Sequence, residues 1–175
     1  AYEFRYCLVG SEMCIRDSSY PAISYGGYRG KSREIQPSIE DIKEDLKIMF
    51  AQGFRVIRTY DLHHPFAENT LKAISELKNS DADFEMYVML GAWIQCKDAF
   101  TDLPIHNEED LEGNKAEIAE AVRLAQNYQD IVKVIAVGNE AMVHWATSYH
   151  LEPKYILKWV KPVSYTHLTL PTTRC

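Results

Sequence analysis

The chain has 175 residues, with 19 Lys and Arg against 25 Asp and Glu, for a formal net charge of −6. That balance gives no basic footprint for nucleic acid, and no uninterrupted apolar run is long enough to span a bilayer. The length suits one ordinary domain.

In chain order, the first stretch differs in kind from the residues after it. "CLVGSEMCIRDS" (Cys7–Ser18) and the closing "VSYTHLTLPTT" (Val163–Thr173) share a relationship at the level of codons. Met13–Asp17 can be encoded as ATG TGT ATA AGA GAC. The reverse complement of that stretch reads GTC TCT TAT ACA CAT, which translates to the Val163–His167 sequence. Both ends resemble translated sequencing adapter, so residues 1–18 and 163–175 are expected to be non-native flanks and residues 19–162 the native part. Cys7, Cys14 and Cys175 fall in those flanks, leaving Cys96. No disulfide framework or CxxC metal knuckle survives, and cysteine usage says nothing about redox compartment.

Within the native part, "AISY" (Ala22–Tyr25) reads as a short strand followed by a glycine-rich loop. "PSIEDIKEDLKIMFAQGF" opens a helix with Ser38 as N-cap and Asp41 three residues on. Its stripe is Ile39, Ile42, Leu46, Met49 and Phe50, and Gly53 marks the stop. "RVIRTY" (Arg55–Tyr60) is a second strand. Asn69 to Lys78 is a second helix with Leu71, Ile74 and Leu77 on one face. "EMYVML" (Glu85–Leu90) is a third strand, followed by a long loop from Gly91 to about Asp110. A third helix carries Ile118, Ala121, Val122 and Ala125 at helical spacing. Ile131–Val137 is the fourth strand. Pro153 sits in the first turn of a fourth helix, whose inner face is read as Ile156, Trp159 and Val160.

The alternation β-α-β-α-β-α-β-α, with strands apolar on both faces, predicts an α/β fold with a parallel sheet covered by helices. A doubly wound sheet and the first half of a (β/α)8 TIM barrel both satisfy it. "GGYRGKSREIQPS" has glycines but no GxGxxG fingerprint, which removes the main sign of a phosphate site.

The strand ends favour the barrel, because barrel active sites form at the C-terminal ends of strands. Tyr25 and Tyr28 follow the first strand, and Arg58, Tyr60 and Asp61 the second. Trp93 and Gln95 follow the third, Asn139 and Glu140 the fourth. Aromatic rings, one carboxylate, one amide and one guanidinium suit a sugar. A carboxyl held between apolar strand ends keeps its proton by desolvation, as a general acid requires.

Four blocks, "AISYGGYRG", "GFRVIRTYD", "VMLGAWI" and above all "VGNEAMVHW", resemble glycoside hydrolase family 17, the β-1,3-glucanases of the clan of retaining (β/α)8 glycosidases. The resemblance runs from about Ala22 to Val160. It implies Glu140 as general acid/base and Asn139 as partner of the sugar 2-hydroxyl, with Tyr28, Tyr60 and Trp93 as subsite-lining positions. Tyr25, Arg58 and Asp61, from the strand ends, and Trp145 are taken with them as candidate substrate-binding positions. It also implies a second glutamate, the nucleophile, at the end of a seventh strand, and retention needs the two carboxyls about 5 Å apart. No residue before Pro162 fills that role, and Glu152 is no substitute. The chain is therefore expected to be a truncated half-barrel of about four βα units that cannot complete turnover alone. The continuation "LHHPF" and the Gly91–Asp110 loop look more like bacterial members.

The expected function is hydrolysis of laminarin-type β-1,3-glucan, with a glucanosyltransferase as the alternative if a sugar replaces water. A non-catalytic glucan-binding or inactive scaffold fragment is the alternative from another class. No cofactor and no metal are expected. His63, His64, His106 and His144 lack ligand spacing and are read as surface or rim residues. "NEED" (Asn107–Asp110) is read as a solvated helix entrance, and Cys96 as a small packing residue. Trp145 is open between core and subsite, and Asp61 between touching sugar and pairing with Arg58 or another strand-end group. The family resemblance implies a secreted, periplasmic or cell-envelope location.

Overall fold

A computed structural model describes residues 20–32 and 34–167. The expected flank at residues 1–18 lies outside the described residues, as do residues 168–175. Strands β1 (Ala22–Ser24), β2 (Val56–Arg58), β3 (Tyr87–Ala92) and β6 (Val132–Val137) form one sheet in the order β1-β2-β3-β6, every pair parallel. A two-stranded antiparallel hairpin, β4 (Cys96–Lys97) and β5 (Ile105–Glu109), stands apart from it. Helices α1 (Ile39–Ala51), α2 (Phe66–Ser80), α3 (Leu111–Asn127) and α4 (Pro153–His167) connect or follow the strands.

The helices form where their apolar residues recur on one face. α1 begins at a complete capping box: the Ser38 hydroxyl accepts from the Asp41 backbone, and the Asp41 carboxylate accepts from the Ser38 backbone, as the sequence indicated. α2 starts three residues earlier than expected, at Phe66 behind Pro65, whose αR backbone already suits a helix entrance. Phe66 is buried there, and its burial extends the helix beyond what periodicity alone suggested.

The stripes meet in one core. Ile42 and Leu46 of α1, Leu71 and Ile74 of α2, Ile118 and Leu124 of α3, and Ile156 and Trp159 of α4 join Ile57, Val88 and Leu90 of the sheet. Side chains alternate across a strand, so the sheet's other face carries Val56, Met89 and Val134. With Tyr20 and Tyr87 they line an apolar hollow of about 390 Å³. Val160 does not face inward as expected. It is exposed, and Val163, one turn of helix further on, is buried in its stead. Helix α4 thus runs through Pro162 and across the expected boundary at residue 163.

Close backbone packing sets the strand spacing at one point. A Cβ on Gly91 would lie 2.3 Å from the Thr59 carbonyl oxygen, so β2 and β3 meet this closely only because residue 91 has no side chain. The Gly91 N–H donates to Thr59 Oγ1, which is itself fully buried.

Candidate active site at the strand ends

β6 ends in a tight turn. Gly138 has φ +82° and Glu140 φ +52°, and a left-handed backbone is uncommon outside glycine. A Cβ on Gly138 would also sit 2.9 Å from Ile156 of α4. The Gly138 N–H donates to the Ala92 carbonyl at 2.8 Å, so the turn begins where β6 leaves its ladder with β3. This geometry places Asn139 inside and Glu140 outside: Asn139 is 8% exposed, and Glu140 is exposed. The expectation that Glu140 is desolvated between strand ends is corrected here, because the left-handed turn aims residue 140 away from the packed strands.

The Asn139 amide oxygen accepts a short hydrogen bond from Arg58 Nη2 at the end of β2. That guanidinium also lies 5.7 Å from the centre of the Tyr60 ring. Arg58, Tyr60, Asn139 and Glu140 are thus gathered from two strands that are not adjacent in the sheet. With Arg58 on its oxygen, the Asn139 amide is left with its N–H groups to donate.

Trp93, after β3, is half-buried beside two aromatic neighbours. Its ring lies 4.8 Å from Tyr149 and 6.2 Å from Phe100, and Tyr149 and Phe100 are 5.5 Å apart. The Tyr149 hydroxyl donates to Glu140 Oε2 at 3.4 Å, and burial and that carboxylate push the Tyr149 phenol up. Neither Phe100 nor Tyr149 was singled out from the sequence. Phe100 lies in the β4–β5 hairpin, which falls within the expected loop, and Tyr149 in the segment after β6. Cys96 N–H donates to the Tyr149 carbonyl and Phe100 N–H to Ser148, so the hairpin is fastened to the segment after β6. Cys96 itself is a fully buried packing residue, with its thiol pushed up by that burial.

"NEED" is not a solvated entrance throughout. Asp110 caps α3 by accepting from Gly113 N–H, while Glu109 accepts from the Trp159 indole and Lys158 of α4. Gln95 is held on three sides. It donates through its side chain to Asp110, accepts from the Trp93 indole, and exchanges backbone bonds with the Asn114 amide.

Three expected substrate positions lie elsewhere. Tyr25 is turned into the core against Phe66, 5.2 Å between ring centres, and its hydroxyl donates to Asp45 of α1 at 2.9 Å. Burial is the main reason its phenol pKa is raised. Tyr28 stacks on the same Phe66 ring at 5.8 Å. Asp61 does not pair with Arg58 but faces His64 and His63, at 3.3 and 3.7 Å. Trp145, open between core and subsite, is 71% exposed and so is not core.

A cavity of about 720 Å³ borders this region, lined among others by Asp61, His63, Trp93, Phe100 and Glu117. Glu140 is not among the residues that line it. At its base, buried Glu117 of α3 accepts the backbone N–H groups of Leu62 and Trp93, at 2.7 and 2.8 Å. The same carboxylate, 3.6 Å from His63 Nδ1, raises the His63 imidazole above its ordinary value. Sequence reasoning missed Glu117, since a glutamate in an amphipathic helix gives no sign that it is buried.

No protein-family model matches the chain, and no curated protein matches it. Among solved structures, the chain is similar to an endo-laminarinase from Formosa Hel1_33_131, at 58% identity and a TM-score of 0.82. That likeness covers 89% of this chain, which spans 40% of the laminarinase's length. The four-stranded parallel sheet with its helices is therefore shared with part of a larger glycosidase. Among the described residues no helix is long and apolar enough to cross a membrane.

Proposed function

We propose that this chain is part of a retaining glycoside hydrolase of the family 17 type that acts on laminarin-like β-1,3-glucan. The observation that carries this reading is the 58% identity to an endo-laminarinase over 89% of the chain. It is supported by an exposed glutamate beside a buried, fixed amide at the end of a parallel strand. We take the native part as residues 19–162 and the sheet as part of a (β/α)8 barrel. The monotonic strand order supports this, since a doubly wound sheet reverses direction at a switch point.

In this reading Glu140 protonates the leaving glycosidic oxygen and later deprotonates the attacking water. A second glutamate, its carboxyl about 5 Å from that of Glu140, attacks the anomeric carbon to form the glycosyl-enzyme that this water then cleaves. Asn139 donates to the 2-hydroxyl, with its orientation fixed by Arg58. Trp93, Tyr149 and Phe100 offer ring faces to the apolar side of glucose units, and Tyr60 and Trp145 extend that surface. The substrate is a neutral β-glucan polymer or oligosaccharide, so no cofactor takes part in the bond cleavage.

The test splices residues 20–162 into the matching part of that laminarinase and assays laminarin. The hybrid is expected to hydrolyse it, and Glu140→Gln is expected to slow turnover by about 10²–10⁴-fold. A hybrid whose hydrolysis is indifferent to Glu140→Gln would sink the assignment. The unspliced 175-residue chain is expected to be no faster than its own Glu140→Gln variant. Products longer than the starting oligosaccharide would instead identify the glucanosyltransferase alternative.

A further inference from the structure

The turn after β2 brings together three groups that the glucan reading leaves unused. Asp61 Oδ1 lies 3.3 Å from His64 Nδ1 and 3.7 Å from His63 Nε2, and one ligand atom from each residue falls within a 4.8 Å span. Tetrahedral ligands about 2.0–2.1 Å from a zinc ion stand roughly 3.3–3.4 Å from one another. The two separations from Asp61 are therefore close to the edges of such a polyhedron, and the imidazoles have to close in from the wider 4.8 Å span to complete it.

The far nitrogens make the pattern more specific. His63 Nδ1 faces Glu117 Oε2 at 3.6 Å, and His64 Nε2 faces Glu34 Oε1 at 3.7 Å. Each imidazole thus points one nitrogen at the shared Asp61 and the other at its own carboxylate. Metal-bound histidines carry an outer carboxylate of this kind, which fixes the tautomer and strengthens the donor. Glu117 is suited to that role because its other oxygen is already held by the Leu62 and Trp93 backbones. The cavity of about 720 Å³ opens beside Asp61 and His63, leaving room for a fourth oxygen ligand.

We infer that Asp61, His63 and His64 bind one divalent transition cation of the zinc type, with water or an oxygen-bearing ligand from the cavity in the fourth position. Two imidazoles and one carboxylate suit zinc or its neighbours over calcium or magnesium, which take oxygen ligands. Bound there, the ion ties the β2–α2 turn together beside the Trp93 wall. The inference stands apart from the glucanase reading, since none of its three ligands takes part in the proposed bond cleavage. It differs from the expectation from sequence spacing that these histidines are surface or rim residues. "DLHH" lacks a familiar ligand pattern, and Glu117 joins it from 53 residues further along the chain.

The test is titration of the full chain with Zn²⁺ and with Co²⁺ as a spectroscopic probe, after alkylation of accessible thiols. One ion per chain is expected, with cobalt d–d bands of imidazole and carboxylate ligands and no thiolate charge-transfer band. Asp61→Asn and His64→Gln should each weaken binding at least about tenfold, and the outer-carboxylate variant Glu117→Gln by about tenfold. His63 is half-exposed, so His63→Gln leaves the core intact and should weaken binding as strongly as His64→Gln. Calcium and magnesium should not compete. Failure of the unaltered chain to take up stoichiometric zinc, or unchanged affinity in His63→Gln, overturns the inference.

Discussion

The ends of β2 and β6 each present a carboxylate three residues past the strand, and the two carboxylates are held in opposite ways. Asp61 is enclosed by histidines that are themselves backed by Glu117 and Glu34. Glu140 is exposed, with Tyr149 as its hydrogen-bond partner at 3.4 Å. The difference follows from backbone geometry. The turn after β2 folds its carboxylate back toward its own helix entrance, while the left-handed turn after β6 projects Glu140 outward. A carboxylate clasped by fixed partners serves to organise its surroundings. One left accessible beside an anchored amide is available to a substrate.

The largest effect expected from this contrast is on turnover without stability. In the spliced enzyme, Glu140→Gln should lower kcat by about 10²–10⁴-fold, the usual contribution of a general acid. The same exposed substitution should move folding stability by less than about 0.5 kcal/mol, measured by urea unfolding. A large loss of stability would mean that Glu140 is a structural carboxylate like Asp61.

Glu117→Ala should show the reverse. It leaves two backbone N–H groups, of Leu62 and Trp93, without their acceptor in a buried setting. A cost of about 2–4 kcal/mol follows from the usual penalty for unsatisfied buried donors. Glu117→Gln retains an acceptor oxygen and should recover most of that stability. Equal losses in the two variants would argue against the hydrogen-bond account.

Arg58→Met tests the link between the two strand ends. Without its guanidinium the buried Asn139 amide is free to turn, and kcat/KM of the spliced enzyme should fall by roughly tenfold, or about 1.4 kcal/mol. A substrate lacking the 2-hydroxyl should lose much less on the same substitution. An equal loss on both substrates would place Arg58 outside the orientation of Asn139.

The smallest effect concerns pH and lies away from both strand ends, at the start of α1. The Ser38 side chain, then its backbone, lowers the Asp41 pKa. A folded pKa below the unfolded value means the cap's contribution is complete above the unfolded pKa, near 3.9 for aspartate. It is lost as pH falls through the depressed folded value. Melting temperatures of the chain and of Asp41→Asn should differ at neutral pH and converge at the acid end. Parallel curves across that range would remove Asp41 from the pH response.

Much of the architecture was legible along the chain because it depends on local periodicity. The stripes at Ile42 and Leu46, at Leu71 and Ile74, and at Ile118 and Ala121 are all buried in the common core. The capping box was readable for the same reason, its partners being only three residues apart. The β4–β5 hairpin was not. Its strands are short and polar, and its position depends on backbone bonds from Cys96 and Phe100 to residues 148 and 149. Tyr25 was misplaced because an aromatic residue beside a strand end is equally suited to sugar and to core. Only the arrival of Phe66 and Asp45 fixed it inside.

The sequence by itself determined the succession of the four parallel strands and four helices, the glycine that ends β6, and the Asn139–Glu140 pair directly after it. These rest on residue type and on spacings of a few residues. Tertiary structure alone decided that Arg58 reaches Asn139 across 81 residues, that Glu117 lies beneath His63, and that Phe100 and Tyr149 flank Trp93. Such contacts depend on how helices and loops dock, and docking is set by the packing of the whole core, which no short window of sequence contains.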